Sequence, residues 1–316
     1  MRFTPLIPVR LAILALGANA LTSCADPPSA PRAVVSDEVS AAKQSTTSSK
    51  MLFWELVEFG QPAQTYQVFS MSDDGTQVLQ VSHLPGSGFN PSWAPDGKRI
   101  LYSGWEAAGA ALTLWVMSSD GTGVTHLTQS PYIDDYPVAS GKDVLFIRNF
   151  SELASLKMDG MGVTILTTGV DSDAPSPNPK GRGVAFAKGG DIWILDQTTG
   201  ALTNITNTQD VIESNPSFSP SGKQIAFRSI AFPAGGGVVG GIYIMNADGT
   251  AASQLTDHES DLLPRWSPNG KRIAFSSLRE DPTDFDIFNM SADGTDIRNL
   301  TRTIGVGELL SAWTAY

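Results

Sequence analysis

PRWSPNGKRIAFSS, residues 264–277, is the stretch on which the fold turns. A short apolar segment ending in Trp266 runs into Pro268-Asn269-Gly270, and a second apolar segment, Ile273 to Phe275, follows at once. Proline presets its own φ and glycine accepts positive φ, so the middle reads as a tight turn and the flanks as paired strands. The same text recurs upstream as PSWAPDGKRILYS (91–103) and PSFSPSGKQIAFRS (216–229). Degenerate copies begin at Pro137 (PVASGKDVLFI) and Pro175 (PSPNPKGRGVAFA).

A second signal follows each copy. Apolar strands such as LWVM (114–117), IWIL (192–195), IYIM (242–245) and IFNM (287–290) lead into a glycine turn. The turns are Asp74-Gly75, Asp120-Gly121, Asp159-Gly160, Thr199-Gly200, Asp248-Gly249 and Asp293-Gly294. Five or six residues after each glycine stands an aliphatic–hydroxyl pair: Val81-Ser82, Leu127-Thr128, Leu166-Thr167, Ile205-Thr206, Leu255-Thr256 and Leu300-Thr301. One repeat is therefore four strands, A to D, with a period of about 38–49 residues, the signature of a propeller blade.

In its DG-T and W-SPDGK-IAFSS motifs the chain resembles the TolB-type, WD-like β-propeller repeat family across essentially all of 51–316. The expected fold is all-β: a six-bladed propeller of four-stranded blades. Residues 51–59 (MLFWELVEF) read as a strand B without its own strand A. Residues 308–316 (ELLSAWTAY) mimic DLLPRWS at 261–267 and are expected to supply the missing strand, closing the ring without open edges. The resemblance implies a binding module that docks a protein or peptide of the bacterial envelope, as TolB docks the peptidoglycan-associated lipoprotein. The N-terminal α/β domain of TolB has no counterpart in the residues before 51.

Those residues carry other information. Arg2 and Arg10 precede an eleven-residue apolar run, Leu11 to Leu21, and no acidic residue occurs before Asp26. The run fits the core of a signal peptide and is short for a membrane span. Leu21-Thr22-Ser23-Cys24 resembles a bacterial lipoprotein signal, which implies lipid attachment at Cys24. Acyl chains there would anchor the protein by burying methylenes at about 0.8 kcal/mol each. With Ala25 after the cysteine, the sorting rules of that signal favour the outer membrane of a Gram-negative host. The expected organisation is a signal peptide at 1–23, a Pro/Ser/Thr/Ala-rich tether at 24–50 and the propeller at 51–316.

Composition supports the same class. The 316 residues hold 21 Lys+Arg against 32 Asp+Glu, 41% apolar residues and one cysteine. Intrachain disulfides and cysteine-based metal sites are excluded. The apolar share argues against a disordered chain, and the acidic balance against nucleic acid as a partner. A monomer is expected.

Length variation among the repeats falls in the B–C loops, at 104–112, 230–241 and 279–285, which places function on that face of the disc. The same face should carry Asp134, Glu213, Asp261 and Glu308, each just before a strand A. They read either as caps on loop N–H groups or as an acidic rim around the channel mouth that draws a cation, basic peptide or polar ligand. His258, beside Glu259 and Asp261, joins this candidate binding face; His83 also lies there, and His126 sits on strand D. Too few histidines are present for a convincing metal set, and neither metal nor cofactor is assigned. Six-bladed lyases of pectin fragments use channel histidines, so a metal-dependent carbohydrate-active enzyme is an alternative. A sugar- or ligand-binding surface lipoprotein using Trp105 and Tyr132 is another. No GxSxG, HExxH or CxxC occurs. Gly235 to Gly240 matches GxGxxG by letters only, between two strands.

Overall fold

The computed structural model describes residues 49–59, 63–83, 86–106, 110–129, 131–303 and 307–315. Twenty-four strands make six four-stranded antiparallel sheets. Blade 1 takes β1 (Ser49–Phe59), β2 (Ala63–Ser72) and β3 (Leu79–Gln80). Blade 2 takes β4 (Ser87–Trp93), β5 (Arg99–Trp105), β6 (Thr113–Ser118) and β7 (Thr125–His126). Blade 3 is β8 (Asp134–Ser140), β9 (Asp143–Arg148), β10 (Glu152–Lys157) and β11 (Thr164–Thr168). Blade 4 is β12 (Ser176–Pro177), β13 (Gly183–Lys188), β14 (Asp191–Asp196) and β15 (Leu202–Asn204). Blade 5 is β16 (Val211–Phe218), β17 (Gln224–Ala231), β18 (Val239–Asn246) and β19 (Ser253–Gln254). Blade 6 is β20 (Leu262–Trp266), β21 (Arg272–Ser277), β22 (Asp286–Ser291) and β23 (Arg298–Asn299). The last strand, β24 (Leu309–Ala315), returns to blade 1 and pairs antiparallel with β1, in the order β24-β1-β2-β3. The expected closure is therefore present: strand A of the first blade comes from the far end of the chain.

The core is distributed between blades. Among the described residues six apolar clusters form, and each joins two neighbouring blades. Strand alternation produces this: Ile273 and Phe275 of β21 pack toward blade 5, while Ala274 between them packs toward blade 1. The cluster of Met51, Phe53, Ala274, Ile287 and Leu310 seals blade 6 to blade 1.

The two repeated sequence signals turn out to be one contact. A Cβ on Gly121 of blade 2 would stand 2.0 Å from the carbonyl oxygen of Val81 in blade 1. The same approach joins Gly160 to Leu127, Gly249 to Ile205, Gly294 to Leu255 and, across the closure, Gly75 to Leu300. Each glycine turn thus rests on the aliphatic residue of the preceding blade, where only glycine fits. The adjoining hydroxyl accepts a hydrogen bond from a strand C amide fourteen residues upstream, as with Val68 N–H to Ser82 Oγ (2.8 Å) and Ile242 N–H to Thr256 Oγ1 (2.9 Å). Gly200 of blade 4 breaks the rule and has no such neighbour.

Candidate functional site

Strand A of every blade faces the ring axis, and these strands with their A–B turns enclose a cavity of about 1240 Å³. Blade 2 contributes Asn90 to Lys98, blade 6 Leu263, Arg265, Trp266 and Pro268, and blade 1 Leu310 to Thr314. Its lining includes A–B turn residues and none from the long B–C loops, so it lies toward the face opposite the one expected to carry function. The reason is physical. Short turns leave the inner strands unroofed, whereas long loops have length to fold over the other end of the axis. Nine lining residues are prolines, which hold the wall without side chains that can collapse into it.

Charge distinguishes the cavity from the rest of the molecule. Its charged lining residues are Asp96, Lys98, Arg182 and Arg265, in a chain of net charge −11. Asp96 is held by Arg99 at 2.8 Å. Lys98 and Arg182 are exposed, and Arg182 donates to Thr198 Oγ1 at 2.8 Å. Arg265 is half-buried; its Nε donates to the Ser311 carbonyl at 2.7 Å. Burial lowers the Arg265 pKa, while Asp173 and Tyr136 oppose that shift.

At the end of the cavity away from the turns, the inner strands share a device that the sequence did not reveal. Asn90, Tyr136, Asn215 and Leu263 each precede a proline and adopt φ between 49° and 56°. A β-bulge falls at each: between Phe89 and Ser92, Asp135 and Val138, Ser214 and Ser217, and Leu262 and Arg265. The bulges carry hydrogen bonds from blade to blade. Asn90 Nδ2 donates to Asp135 Oδ1 (2.9 Å), and Asn215 Nδ2 to Asp173 Oδ1 (2.6 Å). The Leu263 amide donates to Asn215 Oδ1 (3.4 Å). Burial pushes the Asp135 and Asp173 carboxyls above the usual carboxylate range, and the bonds from Asn90 and Asn215 hold them partly back. The recurring Asn-Pro of NPSW and NPSF was the available signal, since asparagine tolerates the left-handed region.

The four acids expected at an open rim are buried. Asp134, Asp261 and Glu308 are 0% exposed and Glu213 is 4% exposed. Asp134 is clasped by Arg148 through two bonds, Nε–Oδ1 at 2.7 Å and a second nitrogen to Oδ2 at 3.0 Å. Asp261 pairs with Arg279. Both arginines also lie over aromatic rings, Arg148 at 4.8 Å from the Tyr132 centroid and Arg279 at 5.3 Å from that of Phe275. Glu213 and Glu308 have no arginine partner among the described residues. Burial drives Glu213 upward, with the Asp191 charge adding to it. Neither oxygen of Glu308 makes a well-formed hydrogen bond, and burial raises its pKa to about 8, with Glu55 and Asp286 adding to the push and Thr303 and Thr301 opposing it. All four acids are thus buried, where a carboxylate is either paired or driven toward its neutral form, and none stands exposed at an open rim.

His258 is half-buried, with Nδ1 2.8 Å from Ser260 Oγ, and Asp261 beside it is already engaged by Arg279. His83 is exposed, and His126 sits 3.0 Å from Glu106 against the Trp115 ring. Among the described residues no three His, Cys, Asp or Glu side chains converge as a metal set. Trp105 packs edge-on against Phe89, while Tyr132 is 48% exposed. The glycines at 235–237 lie between β17 and β18. Cys24 lies outside the described residues.

The TolB beta propeller domain family matches residues 184–311. The repeats there resemble those of TolB-type propellers. The crystal structure of TolB from Acinetobacter baumannii covers 84% of this chain with 66% of its own, at TM-score 0.66 and 21% identity. A TolB-like protein of Agrobacterium tumefaciens gives TM-score 0.63 and 19% identity over 84% of this chain and 97% of that one. At such identities the TolB structures share the fold. Dipeptidyl-peptidase 5 of Porphyromonas endodontalis is 26% identical over 187 residues, 52% of this chain. That stretch spans only 26% of the peptidase's own length, and it places a peptidase beside the TolB proteins among the chains this one is similar to.

Proposed function

We propose that this protein is a binding module of the bacterial envelope, held by lipid on Cys24, whose working surface is the axial cavity on the A–B turn face. The ligand class is a protein or peptide segment bearing carboxylates. One observation carries the reading: a 1240 Å³ cavity whose charged lining is three cations and one already paired acid, in an acidic chain. An apolar wall with a few fixed cations suits an extended segment whose acids are read by Lys98, Arg182 and Arg265. This replaces an acidic rim reading cations. The binding role agrees with what TolB-type resemblance implies.

The test is capture from crosslinked envelopes with the full chain, the Lys98→Glu/Arg182→Glu double variant and Cys24→Ala. Both substituted cations are exposed, so folding is retained. A defined partner should be recovered by the wild type, at least tenfold less by the double variant, and independently of envelope fractionation. Equal recovery by the double variant would move the binding surface off the cavity. Cys24→Ala should leave the membrane fraction, and if it stays, lipid is not the anchor.

A further inference from the structure

Of the three cations on the cavity wall, Arg265 is unlike the other two. Lys98 and Arg182 belong to A–B turns, each standing immediately before a strand B. Arg265 lies within the inner strand β20, beyond the bulged Leu263. Its Nε donates to the Ser311 carbonyl of blade 1 at 2.7 Å, and its Nη1 to the Pro264 carbonyl at 2.9 Å. These bonds fix the guanidinium plane. They leave Nη2 without a partner among the described residues, and with it the Nη1–Nη2 edge that can meet both oxygens of a carboxylate. Among the described residues no carboxylate stands within ion-pair distance of Arg265, whereas Arg148 and Arg279 are each closed on an aspartate. Asp173, whose charge acts on Arg265 from the approach to blade 4, has its oxygens engaged by Asn215 and by the Ala174 amide.

We propose that Arg265 receives the terminal carboxylate of a peptide chain, so that the cavity takes its partner end-on, by its last residues. This rests on the reading that the cavity takes carboxylate-bearing segments, and adds which carboxylate Arg265 holds. The surroundings favour a chain end over a side-chain acid. Near Arg265 the polar groups of the inner strands are already spent: Asn90 Nδ2 on Asp135, Asn215 Nδ2 on Asp173 and the Leu263 amide on Asn215. Pro91, Pro137 and Pro216, on the same wall, carry no N–H. A peptide that ran on past Arg265 would bury its own N–H and C=O groups against Leu263, Leu310 and donors already bonded, with a loss like that of unmade hydrogen bonds. A chain that stops there has one carboxylate to satisfy, and the open edge of Arg265 satisfies it. Acidic side chains earlier in the segment then fall to Lys98 and Arg182, both exposed at the turns.

The experiment uses the full chain and two pools of short mixed-sequence peptides, acetylated at the N-terminus, one pool ending in a free carboxylate and the other in an amide. Retention of each pool is measured on the wild type, on Arg265→Gln and on Lys98→Glu/Arg182→Glu. A terminal carboxylate held by Arg265 predicts that the wild type retains the acid pool about ten- to a hundredfold more than the amide pool. The preference should vanish in Arg265→Gln and persist in the double variant, which holds both pools more weakly. The wild-type comparison needs no substitution, so it stands even if Arg265→Gln fails to fold. Equal retention of the two pools, lost in the double variant, overturns the end-on contact and leaves the cavity reading intact. A preference undiminished in Arg265→Gln overturns the assignment to Arg265. Retention that is undetectable, or indifferent to all three substitutions, overturns both.

Discussion

Blades 3 and 6 solve one problem differently from blades 5 and 1. All four bury an acid immediately before or within strand A. In blade 3 the strand B residue directly across from Asp134 is Arg148, and the pair closes on itself. In blade 6 Arg279 folds back from beyond strand B to reach Asp261. In blade 5 the residue across from Glu213 is Ser229, and in blade 1 the neighbour of Glu308 is another acid, Glu55. The same repeat position therefore holds either an ion pair or a carboxyl that resists ionisation. A sequence motif specifies where a side chain stands, and the residue across the sheet specifies its charge state.

The largest effect should come from opening an ion pair. Arg148→Met leaves the fully buried Asp134 without its cation, which should cost about 3–5 kcal/mol in denaturant unfolding. A loss below 1 kcal/mol would show that the pair is not desolvated. The next effect is a pH profile. The folded pKa of Glu308, about 8, lies above its ordinary value of 4.5, so the folded state retains a proton that the unfolded state releases. Its contribution is complete below pH 4.5 and is lost as pH rises through 8, on the order of a few kcal/mol. Asp135, Asp173 and Glu213 shift in the same direction. Glu308→Gln should flatten most of the decline between pH 4.5 and 8, and melting temperatures across that range would measure it. An unchanged slope would assign the decline to the other three. Glu213→Gln should act in the same direction, because burial raises that carboxyl and the amide that replaces it does not titrate. Smallest is the exposed pair: Asp96→Ala should cost under about 1 kcal/mol and lose even that in high salt, since both partners face solvent.

Much of the ring was legible because its repeats are backbone requirements. Positive φ and a carbonyl within contact distance force glycine at 75, 121, 160, 249 and 294, and a requirement imposed five times becomes a period. The closure by 309–315 was legible for the same reason, as a displaced copy of a known strand. The cavity was not. Loop length is visible in a sequence, whereas an opening at the opposite face depends on what short turns fail to cover. The burial of Asp134, Asp261 and Glu308 was hidden because their partners lie across the sheet or on another blade. The bulges at Asn90, Tyr136, Asn215 and Leu263 were hidden because a residue before a proline does not by itself disclose a positive φ.

The strand β24 also sets an order of events. Blade 1 needs pairing between residues about 260 positions apart, such as Met51 with Trp313, whereas strands within the other blades are near neighbours in sequence. Loop-closure entropy makes such a contact slow to form. Five blades can assemble as the chain becomes available, but the inner edge of β1 stays open until the last strand arrives. Throughout that interval the chain exposes an unpaired edge and an unsealed junction between blades 6 and 1. The ring's completion is thus its latest and most aggregation-exposed step, and a chaperone that shields β1 would act at that moment.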